Sequence, residues 1–217
     1  LLISIDLGLI LGNLIQGMPL THTGIILWDQ LCFINPYAFL IACFILIFFT
    51  LHGCLYLLIK TEGTIQKHLL KLSYPLVITF LGLWLFTTLA TYKYFPFMMG
   101  RIFKHPVLII FVIISLFGIL FIPYQLYKER FGWAFIGSCV AILSLMLLYA
   151  IGTYPDLIIS SKDPENSSLS IFNSSSSPIT LWVIFFVALA GAPLSIFYVS
   201  YVYKIFKGKV KLDSTSY

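Results

Sequence analysis

Long, nearly unbroken runs of apolar residues dominate the chain, and short polar stretches separate them. Five of these runs reach about 20 residues, the length that an α-helix needs to cross a hydrocarbon core of about 30 Å, and a shorter run opens the chain. The runs are continuous rather than alternating, which favours helices over the strands of a membrane barrel. The pattern therefore predicts an all-α, polytopic transmembrane helical bundle. It forms a single domain over 1–217, with spans at about 1–18, 37–59, 74–95, 107–127, 132–151 and 179–203.

Composition excludes the soluble classes of protein. Hydrophobic residues make up 60% of the chain, charged residues only 10%, and the mean hydropathy is +1.00. In a soluble domain, roughly a quarter of all residues are charged. A soluble enzyme, a secreted disulfide scaffold and a disordered tail are therefore all excluded. The four cysteines show no CxxC spacing, which favours small buried hydrophobic residues over a metal site or a disulfide framework. They are Cys32, Cys43, Cys54 and Cys139.

The net charge of +5 is interpreted as a signal of membrane orientation, not of nucleic-acid binding. The cations lie in short clusters between the apolar runs, where membrane proteins carry their topological signals. Nine of the 13 Lys and Arg fall on one side of the predicted spans, which predicts that both chain ends are cytoplasmic. The serine-rich loop 152–178 is then extracytoplasmic. Its residues Leu169, Ile171 and Phe172 are too apolar for a free linker and are expected to dock on protein.

Polar residues within the first run are candidate functional positions, because polar groups are costly in a membrane. Asp6, Asn13 and Gln16 follow a spacing that places them on one helix face. Asn13 and Gln16 are therefore expected to face protein. For Asp6 two interpretations are open, a role in a proton path or ion pair and a position at the helix end near the headgroups.

Two further candidate residues belong to the second apolar run: His52 lies within it, and Glu62 lies just after its end. A lone intramembrane His can bind haem iron from one side, but more often it forms a hydrogen bond between helices, and the adjacent Gly53 favours this packing role. Gly63 is predicted to cap the second helix, with Glu62 solvated or paired with a loop cation. His22, His68 and His105 fall in loops or at span ends.

No motif of a known catalytic or metal site occurs in the sequence: a P-loop, a Ser-His-Asp set, HExxH and a glycine-rich nucleotide fingerprint are all missing. We therefore assign no catalytic residue and no metal ligand, and the sequence leaves cofactor-binding residues unidentified. The chain begins Leu-Leu-Ile-Ser inside an apolar run, without an initiator Met, which predicts a piece of a longer protein.

Several strings, in this order, carry a resemblance to a known family. They are Gly12-Asn-Leu-Ile-Gln-Gly-Met-Pro19, Asn35-Pro36, His52-Gly53 followed by Lys60-Thr-Glu-Gly63, Gly132-Trp-Ala-Phe135, and the stretch from Tyr154-Pro155 to Thr180-Leu181. Together they resemble the carboxy-terminal two thirds of subunit II of the cytochrome bd-type quinol:oxygen oxidases, the terminal oxidases of many bacterial respiratory chains. Asn35 is a candidate position through this resemblance, whereas Asp6 matches no family position.

The resemblance implies a subunit that has no redox centre of its own and pairs with a larger subunit I as a heterodimer. Subunit I would hold haems b and d and the quinol site, and would oxidise quinol and reduce oxygen to water in aerobic respiration. This chain would bind no haem alone, could hold a structural quinone as some members do, and could provide an oxygen or proton route. The implied location is the bacterial cytoplasmic (inner) membrane, with lipids and the quinone pool as further partners and no nucleic acid.

Two other classes of function stay open. A secondary transporter would show broken helices at the membrane midplane in two related halves. An assembly or scaffold subunit without a redox role would show polar loops without the strings above.

Overall fold

The computed structural model describes residues 1–27, 33–97, 100, 106–206 and 208. Long helices fill most of this described part, and two short strands pair antiparallel between the last two helices. Cys32, His105 and five of the cations counted for membrane orientation lie outside the described residues. Those cations are Arg101, Lys104, Lys207, Lys209 and Lys211. The elements are α1 Leu2–Gln16, α2 Pro36–Lys60, α3 Gly63–Tyr94, α4 Pro106–Tyr127, α5 Phe131–Thr153, β1 Asp156–Ile158, β2 Leu169–Ser170 and α6 Pro178–Ile205.

The all-α, polytopic fold is confirmed. The five helices α2 to α6 each have the length and apolar composition needed to cross a membrane, and α1 is a shorter apolar helix. Buried residues of α2, α3, α4 and α5 form one core, in which Phe80 stacks on Phe48 with ring centroids 4.6 Å apart. The fully buried large side chains of this core are Phe80, Leu51, Leu55, Leu58, Ile119, Ile122 and Leu126.

The connection between α2 and α3 differs from the sequence prediction. The α2 helix ends at Lys60, and Thr61 caps it in an extended conformation, with its N–H donating to the Leu57 carbonyl. Gly63 does not cap α2 but begins α3, at a φ of +66° that favours glycine. The α3 helix therefore begins 11 residues before the span predicted from hydropathy, because residues 63–73 are helical but too polar to count as an apolar run.

Small residues bring two pairs of helices into close contact. A Cβ atom added to Gly8 would lie 2.3 Å from the Cα atom of Ala42, and one added to Gly12 would lie 2.5 Å from the Cα atom of Ala38. The approach between α4 and α5 is less extreme, since a Cβ atom added to Gly118 would lie 3.1 Å from the backbone nitrogen of Ala141. In a membrane, where lipid tails are as apolar as side chains, this close van der Waals contact is a main source of helix association.

The loop after α5 packs on the segment that follows α1. The Met18 N–H donates to the Ile159 carbonyl at 2.8 Å, and the Ser161 N–H donates to the Met18 carbonyl at 2.9 Å. Leu169 is half-buried in this chain, where it lies over Gly24, whereas Phe172 is 74% exposed. Of the three apolar loop residues, Phe172 is thus the one left available to another surface.

The α6 helix stands apart from the bundle. None of its residues is buried, and only Gly191 and Val202 are even partly covered. Its described contacts with α2 lie at its final turns, where the ring of Tyr203 meets that of Tyr56 at 6.3 Å. Just beyond the helix, Lys60 Nζ donates to the Phe206 carbonyl at 2.8 Å.

Candidate functional site

A cluster of two amides joins the end of α1 to the start of α2. Asn13 is only 3% exposed, and its Nδ2 donates to the carbonyls of Leu9 and Phe33, each at 2.8 Å. Its Oδ1 accepts from Asn35 Nδ2 at 3.1 Å. Asn13 thus satisfies all its polar atoms inside the protein, as a buried amide requires.

Asn35 holds its place because it is the N-cap of α2. Its Oδ1 accepts from the Ala38 N–H at 2.9 Å, and Pro36 follows at the first helical position, where the missing N–H costs nothing. The same side chain therefore caps one helix and binds the other. An Asn followed by Pro is a sequence pattern that fits such a cap, although the sequence analysis above used the pair only for the family resemblance.

The other polar residues predicted on the face of α1 do not join this cluster. Asp6 and Gln16 are exposed, whereas the buried residues of α1 are Gly8, Gly12 and Asn13. Gln16 lies on the exposed side of α1 in this chain, so the expectation that it faces protein stays a prediction. The buried face of α1 is formed by Gly8, Gly12 and Asn13, and polar spacing does not reveal the two glycines. Glu62 is exposed and is the N-cap residue of α3.

Next to the amide cluster, a cavity of about 470 Å³ lies between the ends of α1, α2 and α3. Its polar rim includes Gln16 and Asn35, and its walls are mostly aromatic. This size falls within the range of about 300–1,000 Å³ that small-molecule sites usually have. The remaining lining residues are Pro36, Tyr37, Leu40, Phe86, Ala90, Tyr94 and Phe95.

Tyr37 and Thr91 fix the wall of this cavity. The Thr91 hydroxyl donates to the Thr87 carbonyl at 2.7 Å, so its oxygen accepts the hydrogen of the Tyr37 hydroxyl, also at 2.7 Å. The Tyr37 ring meets Phe95 edge-on at 4.5 Å. The sequence analysis missed this pair, because a Tyr at a span end is typical of any membrane interface.

A second cavity, of about 150 Å³, lies between α1, α2 and α5. It is lined by apolar side chains, among them Phe44, Ile45, Phe48 and Leu145, with Tyr149 at its edge. An apolar cavity of this size stays dry, since a water molecule needs polar partners. Nothing in the sequence pattern marks such a cavity, because it arises from how three helices fit together.

His52 joins α2 to α5. Its Nδ1 lies 2.7 Å from the hydroxyl of the fully buried Ser138, and its ring stacks on Phe135 with centroids 4.7 Å apart. The Ser138 hydroxyl donates its hydrogen to the Phe135 carbonyl at 2.6 Å, so it must accept from His52. Neutral His52 therefore carries its proton on Nδ1 and leaves the Nε2 lone pair open. The interhelical hydrogen bond expected from the sequence is present.

Replacing Ser138 by alanine is expected to lower the stability of the assembled protein by about 1 kcal/mol, because hydrogen bonds between membrane helices contribute about 0.6–1.7 kcal/mol. Ser144→Ala is the matched control: Ser144 is also buried on α5, but its hydroxyl bonds only within its own helix, to the Val140 carbonyl. The thermal unfolding midpoint in detergent measures both. Equal midpoints for the two variants would contradict a stabilising His52–Ser138 bond.

Neither of the two cavities above is lined by a His. Among the described residues, His52 lies within α2 and His68 lies near the start of α3. No group of three His, Cys, Asp or Glu side chains among the residues that the structure describes comes together as a metal site.

Outside the membrane, Asp163 organises the loop after α5. Its carboxylate accepts from Asn166 Nδ2 at 3.1 Å, and this bond, with a smaller contribution from His22, holds the pKa of Asp163 below its usual range. His22 Nδ1 lies 3.8 Å from the same carboxylate and 3.0 Å from the Ser167 hydroxyl. The His22 side chain is 80% exposed, so this pair adds little stability.

Comparison with known proteins gives one family. The family model described as cytochrome bd terminal oxidase subunit II matches residues 1–206. No curated protein matches the sequence.

Proposed function

The chain belongs to the cytochrome bd terminal oxidase subunit II family, and we propose on this premise that it acts through a partner subunit that carries the redox centres. Its role as a subunit of a terminal oxidase, an oxidoreductase complex of the membrane, follows from the match over 1–206. The oxidase strings predicted from the sequence lie within the matched range. No observation favours the transporter or the scaffold.

The partner is subunit I, in a heterodimer, and it holds haems b and d and the site of quinol oxidation. The family to which the chain belongs supports this division of roles. The chain then contributes apolar surface to the complex and controls access for small molecules. The complex lies in the bacterial cytoplasmic membrane, among lipids and the quinone pool.

Of the two cavities, the one of about 470 Å³ is better suited to a structural quinone than the dry one of about 150 Å³ between α1, α2 and α5. The larger cavity has aromatic walls suited to a ring. It also has a rim amide, Gln16, whose Nε2 forms no hydrogen bond with the described residues and can donate to a carbonyl.

Expression with and without subunit I tests the proposal. We expect no haem absorbance from the chain purified alone, and haem bands with quinol oxidase activity from the co-expressed pair. Haem iron needs an axial ligand held in a packed pocket, which in this proposal subunit I provides. A stoichiometric Soret band from the chain alone that disappears in His52→Ala would overturn the division of roles. Co-expression that yields a pure complex without haem would overturn the oxidase role itself.

A further inference from the structure

One face of α3 carries a stripe of five exposed residues. Their spacings of four, three, four and seven positions place them on the same side of the helix. In chain order, the side chains change from two cations to a hydroxyl and then to two apolar groups. The residues of this α3 stripe are Lys67, Lys71, Tyr74, Ile78 and Leu85, all of them exposed.

The two lysines of the α3 stripe lie at the level of lipid headgroups. The hydrogen bond between Tyr37 and Thr91 marks one membrane surface, because Tyr side chains at span ends lie at the interface. Lys71 precedes Thr91 by 20 residues, so at about 1.5 Å per residue it lies about 30 Å away, which is one hydrocarbon thickness. Lys67 lies one turn further out, and Tyr74 lies one turn further in.

The polar groups of the α3 stripe have no partner in the described part of the chain. The side chains of Lys67 and Lys71 form no ion pair and no hydrogen bond with the residues that the structure describes. The Tyr74 hydroxyl likewise forms no hydrogen bond with a described residue. Two cations and one donor are therefore available to a ligand at this surface.

The whole end of the bundle around these lysines is cationic. Its described residues include six cations against two carboxylates, Glu62 and Glu129. The opposite end has two described lysines against three carboxylates. Excess positive charge at one membrane surface attracts anionic lipid headgroups. The six cations are Lys60, Lys67, Lys71, Lys128, Arg130 and Lys204.

We propose that the α3 stripe binds one anionic phospholipid. The lipid phosphate lies between the ammonium groups of Lys67 and Lys71, and the Tyr74 hydroxyl donates to an ester carbonyl. One acyl chain then lies along Ile78 and Leu85. The order of groups along the stripe is the order within the lipid: charge, ester and hydrocarbon. A soluble anion would leave the apolar half of the stripe unused, and a lipid without net charge would compensate the two cations less well.

Photo-crosslinking in the complex purified with its partner subunit tests the site. The complex is placed in nanodiscs of phosphatidylcholine, and the probe is a phosphatidylglycerol with a diazirine on one acyl chain. Mass spectrometry identifies the crosslinked peptides. We expect crosslinks at Ile78 and Leu85. An excess of unlabelled phosphatidylglycerol should remove them, whereas the same excess of phosphatidylcholine should not.

Charge substitutions separate the site from the general field of this membrane surface. Lys67→Gln combined with Lys71→Gln should lower the crosslinking yield at least about tenfold, because each lysine close to an anionic headgroup contributes to binding. The matched control is Lys128→Gln with Arg130→Gln, which removes the same charge from the same end and leaves the α3 stripe intact. This control should retain the yield. An equal loss in both double variants would overturn the proposal.

Three further results would contradict the site. Crosslinks that avoid the α3 stripe would show that another surface covers it. Equal competition by phosphatidylcholine would show that headgroup charge is not recognised. Displacement by inorganic phosphate at the concentration of the competing lipid would assign the lysines to a soluble anion. Crosslinking requires no oxidase activity, so failure of this proposal is distinguishable from failure of the oxidase role.

Discussion

Replacing Gly8 by leucine is expected to separate α1 from α2 and to prevent stable assembly. A Cβ atom at this position would lie 2.3 Å from the Cα atom of Ala42, so the obstacle is backbone that no side-chain rotation can move away. Overpacking of an ordinary core costs about 1–3 kcal/mol. A clash with backbone costs more, because the two helices must move apart and lose contacts along their whole length. The yield of monodisperse complex in detergent and its thermal unfolding midpoint measure the effect.

Gly82→Leu is the matched control for this substitution. Gly82 lies within α3, and a Cβ atom added there meets nothing within 4 Å. Its leucine variant should assemble with a midpoint close to that of the natural chain. If Gly8→Leu and Gly82→Leu gave the same yield and midpoint, the close contact between α1 and α2 would not stabilise the protein.

Replacing Asn13 by leucine is expected to destabilise the protein by about 2–4 kcal/mol, because it removes three hydrogen bonds at a position that is only 3% exposed. The Asn35 amide and the Phe33 carbonyl would lose their partner between the two helices. The loss should appear as a lower unfolding midpoint and as faster proteolysis of the segment between α1 and α2.

Gln16→Leu provides the comparison on the same helix. Gln16 is exposed, and its amide forms no hydrogen bond with the described residues, so this change should shift stability by no more than about 0.5 kcal/mol. An unfolding midpoint for Asn13→Leu as high as that for Gln16→Leu would contradict the role assigned to the amide cluster.

The sequence predicts the helical fold because hydropathy over about 20 residues is a strong local signal. It places the start of α3 less well, since residues 63–73 are helical without being apolar. The spacing of polar residues predicts the same environment for Asn13 and Gln16, although Asn13 is buried and Gln16 is exposed in this chain. What distinguishes them is the position of Gly8 and Gly12 against α2, and this depends on tertiary packing.

The candidate site was predictable only in part. The Asn35-Pro36 pair indicates a helix cap, and His52 marks an intramembrane polar position, so both could be selected from the sequence. The two pairings could not be predicted, because Asn13 and Ser138 are separated from these residues by 22 and 86 positions. The two cavities also have no sequence signal, since each is a space between helices that are distant along the chain.

The length of α3 exceeds what a membrane crossing requires. Its 32 residues extend over about 48 Å, against a hydrocarbon core of about 30 Å, so a helix that crosses the membrane upright extends beyond it at the end that carries Lys67 and Lys71. Pro75 lacks a backbone N–H, so one helical hydrogen bond is missing between this polar end and the part of α3 that carries Phe80. The polar end is therefore a continuation of the same helix that packs in the core, not a separate loop.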